Sequence, residues 1–192
     1  NTNVKFFAKF VYKFVKFKNL KDVIVLGNSL GGHVGLIFSK LYPKLIKGLI
    51  LTGSSGLYEN SMGDSYPKRE DYNYIKERTE AVFYDPKIAT KEIVDEVYET
   101  VNDRKKLIKI LAMAKSAIRH NMSNDLPNIL AETAIIWGEN DSVTPPEVAD
   151  EFKKLLPNSQ LFWIENCGHA PMMEHPEKFN SVMNSWLKEK KI

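Results

Sequence analysis

The chain has a single cysteine, Cys167, among its 192 residues. One thiol can neither form an internal disulfide nor anchor a thiol-rich metal site. That scarcity suits a reducing compartment, and the cytoplasm is the expected location. Charge of one sign is also in short supply: 27 Lys and Arg stand against 24 Asp and Glu, a formal net charge of +3. Such an imbalance is too small for a surface that grips nucleic acid by its phosphates, so no nucleic-acid partner is expected. Long hydrophobic runs are missing too. No stretch approaches the roughly twenty apolar residues of a membrane-spanning helix, and no membrane partner is expected. What is present, 43% hydrophobic and 27% charged residues, is the composition of a globular chain. Its length fits one domain of ordinary size.

Residues 1–22 place Val4, Phe6, Phe7, Phe10, Val11, Phe14 and Phe17 between lysines at helical spacing, which predicts an amphipathic helix with a wide apolar face. A basic, Phe-rich helix suits an anionic membrane surface, but this one runs straight into a strand, and covering a sheet is the better reading. Lysines break every apolar run, which a signal peptide would not allow. VIVLG, residues 23–27, is β-branched without alternation and predicts a strand buried on both faces. A helix over 30–41 and a strand within 45–53 follow. Strand, helix, strand in this order requires a crossover, hence parallel pairing.

From residue 54 to about 125 a polar loop leads into helical patterns over 70–83, 90–102 and 103–120, with no strand candidate. Ile108, Leu111, Ala112, Ala114 and Ile118 are expected to be mostly core. The strand–helix alternation resumes with 133–138, a helix from Pro146, a strand at 160–164 and a last helix over 176–190. The fold class is therefore α/β: a mostly parallel sheet of about four strands, flanking helices and a helical insertion. Residues 1–57 and 123–192 form the expected core, and 58–122 the insertion.

Gly27-Asn28-Ser29-Leu30-Gly31 fits G-x-S-x-G in the setting that motif needs, between a buried strand and a helix. The turn must be sharp enough to strain the serine and expose its hydroxyl. A side chain at Gly27 or Gly31 is expected to collide as strand and helix approach. The helix beginning there aims backbone N–H groups, that of Leu30 first, at an oxyanion forming on the serine. A serine hydroxyl needs a base, and the base an orienting carboxylate. Four histidines compete. His33 should pack beside the turn, His120 reads as a cation at a helix C-terminus, and His175 opens the last helix. His169 lies in a loop just beyond the final strand, where open α/β sheets gather their sites, and is the chosen base. For the acid, Asp141 is better placed than Glu139 in WGENDSVTPP, with helix capping as the alternative role.

The segments GNSLGGHVGL, YPKLIKGLILTG, WGENDSVTPP and CGHAPMMEHPEKF together resemble the α/β-hydrolase family, over most of the chain, with the insertion where that family carries a cap. The resemblance implies Ser29 as nucleophile, Asp141 as acid, His169 as base and the Leu30 amide as oxyanion donor. It implies cleavage of a small ester, or of a carbon–carbon bond activated by a carbonyl, on a small-molecule substrate with no cofactor or metal. Members of the family place further strands and a His-Gly loop, which carries a second oxyanion donor, ahead of the first helix. Their lack here leads us to expect an N-terminal truncation, with residues 23–27 open to edge pairing or homo-oligomer formation. The rival is a hydrolase-fold module that binds without turnover. Val143 and Ala170 are expected pocket walls. Tyr72, Tyr74, Phe83 and Tyr84 suit a cap lining, although packing is the simpler role for each. Cys167 is expected to be buried packing.

Overall fold

The computed structural model describes residues 3–60 and 68–192. Asn1, Thr2 and part of the polar loop after Ser54, residues 61–67, lie outside them. Four strands form one sheet: β1 (Val23–Asn28), β2 (Ile46–Thr52), β3 (Glu132–Gly138) and β4 (Ser159–Ile164). They stand in sequence order and every pairing is parallel. The register aligns Asn28 with Thr52 and Gly138 with Ile164, so the strands all end on one rim.

The helices are α1 (Val4–Phe17), α2 (Leu30–Leu41), α3 (Tyr72–Glu80), α4 (Lys91–Asn102), α5 (Arg104–Arg119), α6 (Pro146–Leu155), α7 (Pro171–Glu174) and α8 (Pro176–Lys190). Local chemistry sets their starts. Asn3 caps Phe6 N, Thr90 caps Ile93 N, and Asp103 takes the amides of Lys105 and Lys106. Proline opens α6, α7 and α8. Alternation on β2 divides the core: Leu49 and Leu51 join α1, α2 and α6 on one face, while Ile50 joins α8 on the other. A separate cluster of Ile75, Val101 and Leu107 holds α3, α4 and α5 together.

Three expectations are corrected. β1 is not buried on both faces: it is an edge strand among the described residues, and Ile24 and Leu26 are exposed. The apolar face of α1 is only partly core. Val4, Ala8 and Val15 are buried, whereas Phe6, Phe10, Phe14 and Phe17 are 51–79% exposed. Those four follow one another along one flank, between the buried stripe and the lysines. α1 packs on α2, and the sheet stops at β1, so nothing among the described residues reaches that flank. On α5, Ile108, Ala112, Ala114 and Ile118 are exposed, and Leu111 is half-buried. The buried residues are instead Leu107, Met113 and Ala117. Leu107 packs with α3 and α4, whereas Met113 and Ala117 reach the main core beside α1. The buried stripe thus changes partners along the helix rather than facing the sheet.

Candidate active site

Ser29 sits where β1 turns into α2, with φ 51° and ψ −119°, a strained conformation for a residue with a side chain. Neighbouring backbone fixes it: Ser29 N donates to Thr52 O at 3.0 Å, and Ser55 N donates to Ser29 O at 3.1 Å. Leu30 is the first residue of α2, so its N–H belongs to the unpaired first turn of the helix. A methyl group at Gly27 would lie 2.3 Å from Gly31 C and 2.4 Å from Gly32 N, as the close approach of strand and helix requires. The same reasoning fails at Gly31, where an added carbon meets nothing within 4 Å. Its Cα faces outward from the turn. The crowded position is Gly32, whose added carbon would lie 2.3 Å from Ser54 Oγ.

Asp141 and His169 meet in the buried interior beyond β3 and β4. His169 Nδ1 lies 2.9 Å from Asp141 Oδ2 and 3.1 Å from Oδ1. The carboxylate also accepts from Val143 N at 2.8 Å, Thr144 N at 2.9 Å and Thr144 Oγ1 at 2.8 Å. These donors fix the carboxylate in direction, and a proton carried on Nδ1 toward it leaves Nε2 as an acceptor. Asp141 does not cap α6; Pro145 holds that position. Glu139 is exposed on the same loop. Thr144 went unnoticed in the sequence, although an Asp followed three residues later by a hydroxyl is a recognisable turn signal. The loop is further pinned by Trp137, whose Nε1 donates to Thr144 O at 3.0 Å.

The Asn28 side chain joins the Ser29 turn to the His169 loop. Asn28 Nδ2 donates to His169 O at 3.0 Å and to Thr52 O at 3.1 Å. Gly53, at φ +48°, lies so close to the imidazole that a methyl group there would be 2.7 Å from Nδ1. Val143 and Ala170 are buried beside Asp141 and His169. Val143 O also accepts from Asn60 N at 2.7 Å. That bond brings Glu59 to the site: burial raises its carboxyl above the ordinary range, and the field of His169 opposes the rise. Tyr72 hydrogen-bonds Asp95 at 2.7 Å, and Tyr74 packs in the insertion's own cluster. Phe83 is half-buried and Tyr84 exposed. Cys167 is buried, which raises its thiol far above the usual range.

A family model described as the alpha/beta hydrolase fold matches residues 1–176. The chain belongs to the α/β-hydrolase fold family. Lipase 1 of Psychrobacter immobilis is 26% identical over 80% of this chain and 51% of its own length. A 2-hydroxy-6-oxononadienedioate/2-hydroxy-6-oxononatrienedioate hydrolase of Pseudomonas is 24% identical over 88% of this chain and 64% of its own length. This α/β-hydrolase chain therefore spans about half to two thirds of the curated relatives it matches. Among solved structures, MGS-MChE2, an alpha/beta hydrolase enzyme from a sediment metagenome of the Mar Chica lagoon, is 49% identical with a TM-score of 0.79. It is matched over 100% of this chain and 73% of its own. The meta-cleavage product hydrolase CumD of Pseudomonas fluorescens shares the fold at a TM-score of 0.84 and 18% identity, over 98% of this chain and 73% of its own.

Two histidines of this α/β-hydrolase chain, 87 residues apart, form an unexpected pair. His33 Nε2 is 2.9 Å from His120 Nδ1, and His33 Nδ1 is 3.4 Å from Ser55 Oγ. His33 packs beside the turn as expected, but His120 is no helix-end cation: burial and the nearby charge of Lys5 lower its pKa. Burial and His120 lower that of His33 to about 4. The unfolded chain therefore binds more protons than the folded one between pH 6.5 and 4. Stability is fully present above pH 6.5 and is lost as pH falls through that window, by roughly 3 kcal/mol for His33. Urea titrations at pH 7 and pH 4.5 should show this loss, and His33→Asn should flatten it. An unchanged pH dependence in that variant would refute the account.

Proposed function

We propose that this is a serine hydrolase of the cytoplasm acting on a small neutral ester. The carrying observation is the buried Asp141–His169 hydrogen bond beside the strained Ser29 turn. In this reading Ser29 Oγ attacks the carbonyl carbon while His169 Nε2 takes the hydroxyl proton. Asp141 stabilises the imidazolium, and the Leu30 N–H stabilises the oxyanion. His169 then returns the proton to the leaving alcohol, and water, deprotonated by the same imidazole, releases the acid from Ser29. Side chains and water supply every step.

Relatives include both a lipase and a hydrolase whose substrate name is a dioate. Glu59 favours the ester for this chain, because burial there already disfavours one negative charge and a carboxylate on the substrate would add a second. The purified chain should hydrolyse neutral short-acyl esters at least about tenfold faster than acyl groups bearing a free carboxylate. Ser29→Ala should abolish both activities, and Glu59→Gln should narrow the preference. A folded chain that turns over no ester would support a binding module instead, and a preference unmoved by Glu59→Gln would remove the selectivity argument.

A further inference from the structure

Glu174 is assigned no part in the chemistry above, yet its carboxylate joins the base loop to the cap. It lies at the end of α7, five residues beyond His169, and is half-buried. Oε1 accepts from Gly168 N at 2.8 Å, and Oε2 accepts from Tyr84 N at 2.7 Å. Gly168 precedes His169, and Tyr84 belongs to the segment that leaves α3. The same segment meets the site twice more. Val82 O accepts from His169 N at 3.0 Å, and Ala81 O accepts from Ser142 Oγ at 3.0 Å. Residues 81–84 therefore touch the base loop and the acid loop together. The approach is close enough to demand glycine: a methyl group at Gly168 would lie 2.7 Å from Val82 O and 2.9 Å from Tyr84 N.

We infer that Glu174 is a positioning residue, pinning residues 81–84 of the cap to the His169 loop so that seating of the cap and orientation of the imidazole are one event. The inference rests on the hydrolase reading for its consequence, but its geometry stands apart from it. Two amides facing one carboxylate each receive a charged acceptor, the stronger class of hydrogen bond. Glutamine cannot replace it, because its amide carries a donor where the second N–H needs an acceptor. The two amides share one planar carboxylate, so opening one contact frees the side chain to swing from the other, and the loop loses its fixed distance to the cap. An imidazole held through its own backbone N–H to Val82 then shifts against Asp141.

The test compares the native chain with Glu174→Gln and with Phe38→Leu, a core substitution on α2 away from this contact that serves as a destabilised control. Amide hydrogen exchange followed by NMR should show Tyr84 and Gly168 accelerating together, at least about tenfold, in Glu174→Gln. The downfield His169 Nδ1–H resonance should broaden into water exchange in Glu174→Gln and persist in Phe38→Leu. Modification of Ser29 by a fluorophosphonate should slow by about tenfold in Glu174→Gln alone. Should that variant not fold, Glu174→Asp, too short to span both amides, is read in the same way. Acceleration of only one amide, or an imidazole resonance unchanged from the native chain, would overturn the inference. If the native chain does not react with the probe at all, the hydrolase reading fails, and the exchange and imidazole measurements still decide the role of Glu174.

Discussion

Replacing His169 with alanine should slow fluorophosphonate modification of Ser29 by a factor of about 10⁴ while leaving the fold intact. The expectation follows from the arrangement around one ring nitrogen. Asp141 occupies the Nδ1 side of the imidazole at 2.9 Å and is itself held by Val143 and Thr144. Only Nε2 is then left to take a proton from a hydroxyl. Without the ring, Ser29 keeps its strained backbone and the N–H groups of α2, but its hydroxyl stays protonated at neutral pH. Asp141→Asn should approach the same loss for a different reason. An amide N–H turned toward Nδ1 selects the tautomer that carries its proton on Nε2, the wrong one for a base. Intact-mass kinetics of adduct formation measure both variants. Native-rate labelling of folded His169→Ala would end the proposal that this histidine is the base.

The second large effect concerns the turn rather than the ring. Gly27→Ala should destabilise the chain by about 3 kcal/mol or more, because the added carbon overlaps backbone atoms of Gly31 and Gly32, which cannot rotate away. Gly31→Ala should be neutral or stabilise by up to about 1 kcal/mol, since its carbon enters open space and alanine favours the helix. Urea unfolding midpoints of the two variants, measured side by side, test the contrast. Equal destabilisation would mean that the motif glycines act through chain flexibility and not through collision.

The pattern of the elbow shows why one glycine was readable and the other was not. Both flank Ser29 in the sequence, and spacing alone treats them alike. Which Cα points into the crossing of strand and helix depends on where β2 and its loop lie, since Ser54 is what crowds Gly32. The same limit governs the helix faces. Periodicity on α1 predicted an apolar face but not that Val4, Ala8 and Val15 would be covered while Phe6, Phe10, Phe14 and Phe17 would not. A hydrophobic residue records that burial is favourable, not which surface is at hand to supply it. On α5 the covered stripe depends on a cluster from α3 and α4 and on α1, about a hundred residues earlier in the chain.

Other features were legible because their causes are local. β-branched runs, Pro at helix starts and the order of strand and helix act over a few residues, so α2 and α8 begin and end where the pattern places them. The meeting of Asp141 with His169 follows from placement, since each lies just after a strand in the same sheet and parallel strands carry their ends to one rim. The sequence by itself thus determined the fold class and the order of its elements. Tertiary structure alone decided the neutral His33–His120 pair and the grip of Glu174 on Tyr84. Those bonds join residues whose separation in space is set by packing of the whole sheet and cap, a distance that no local spacing encodes.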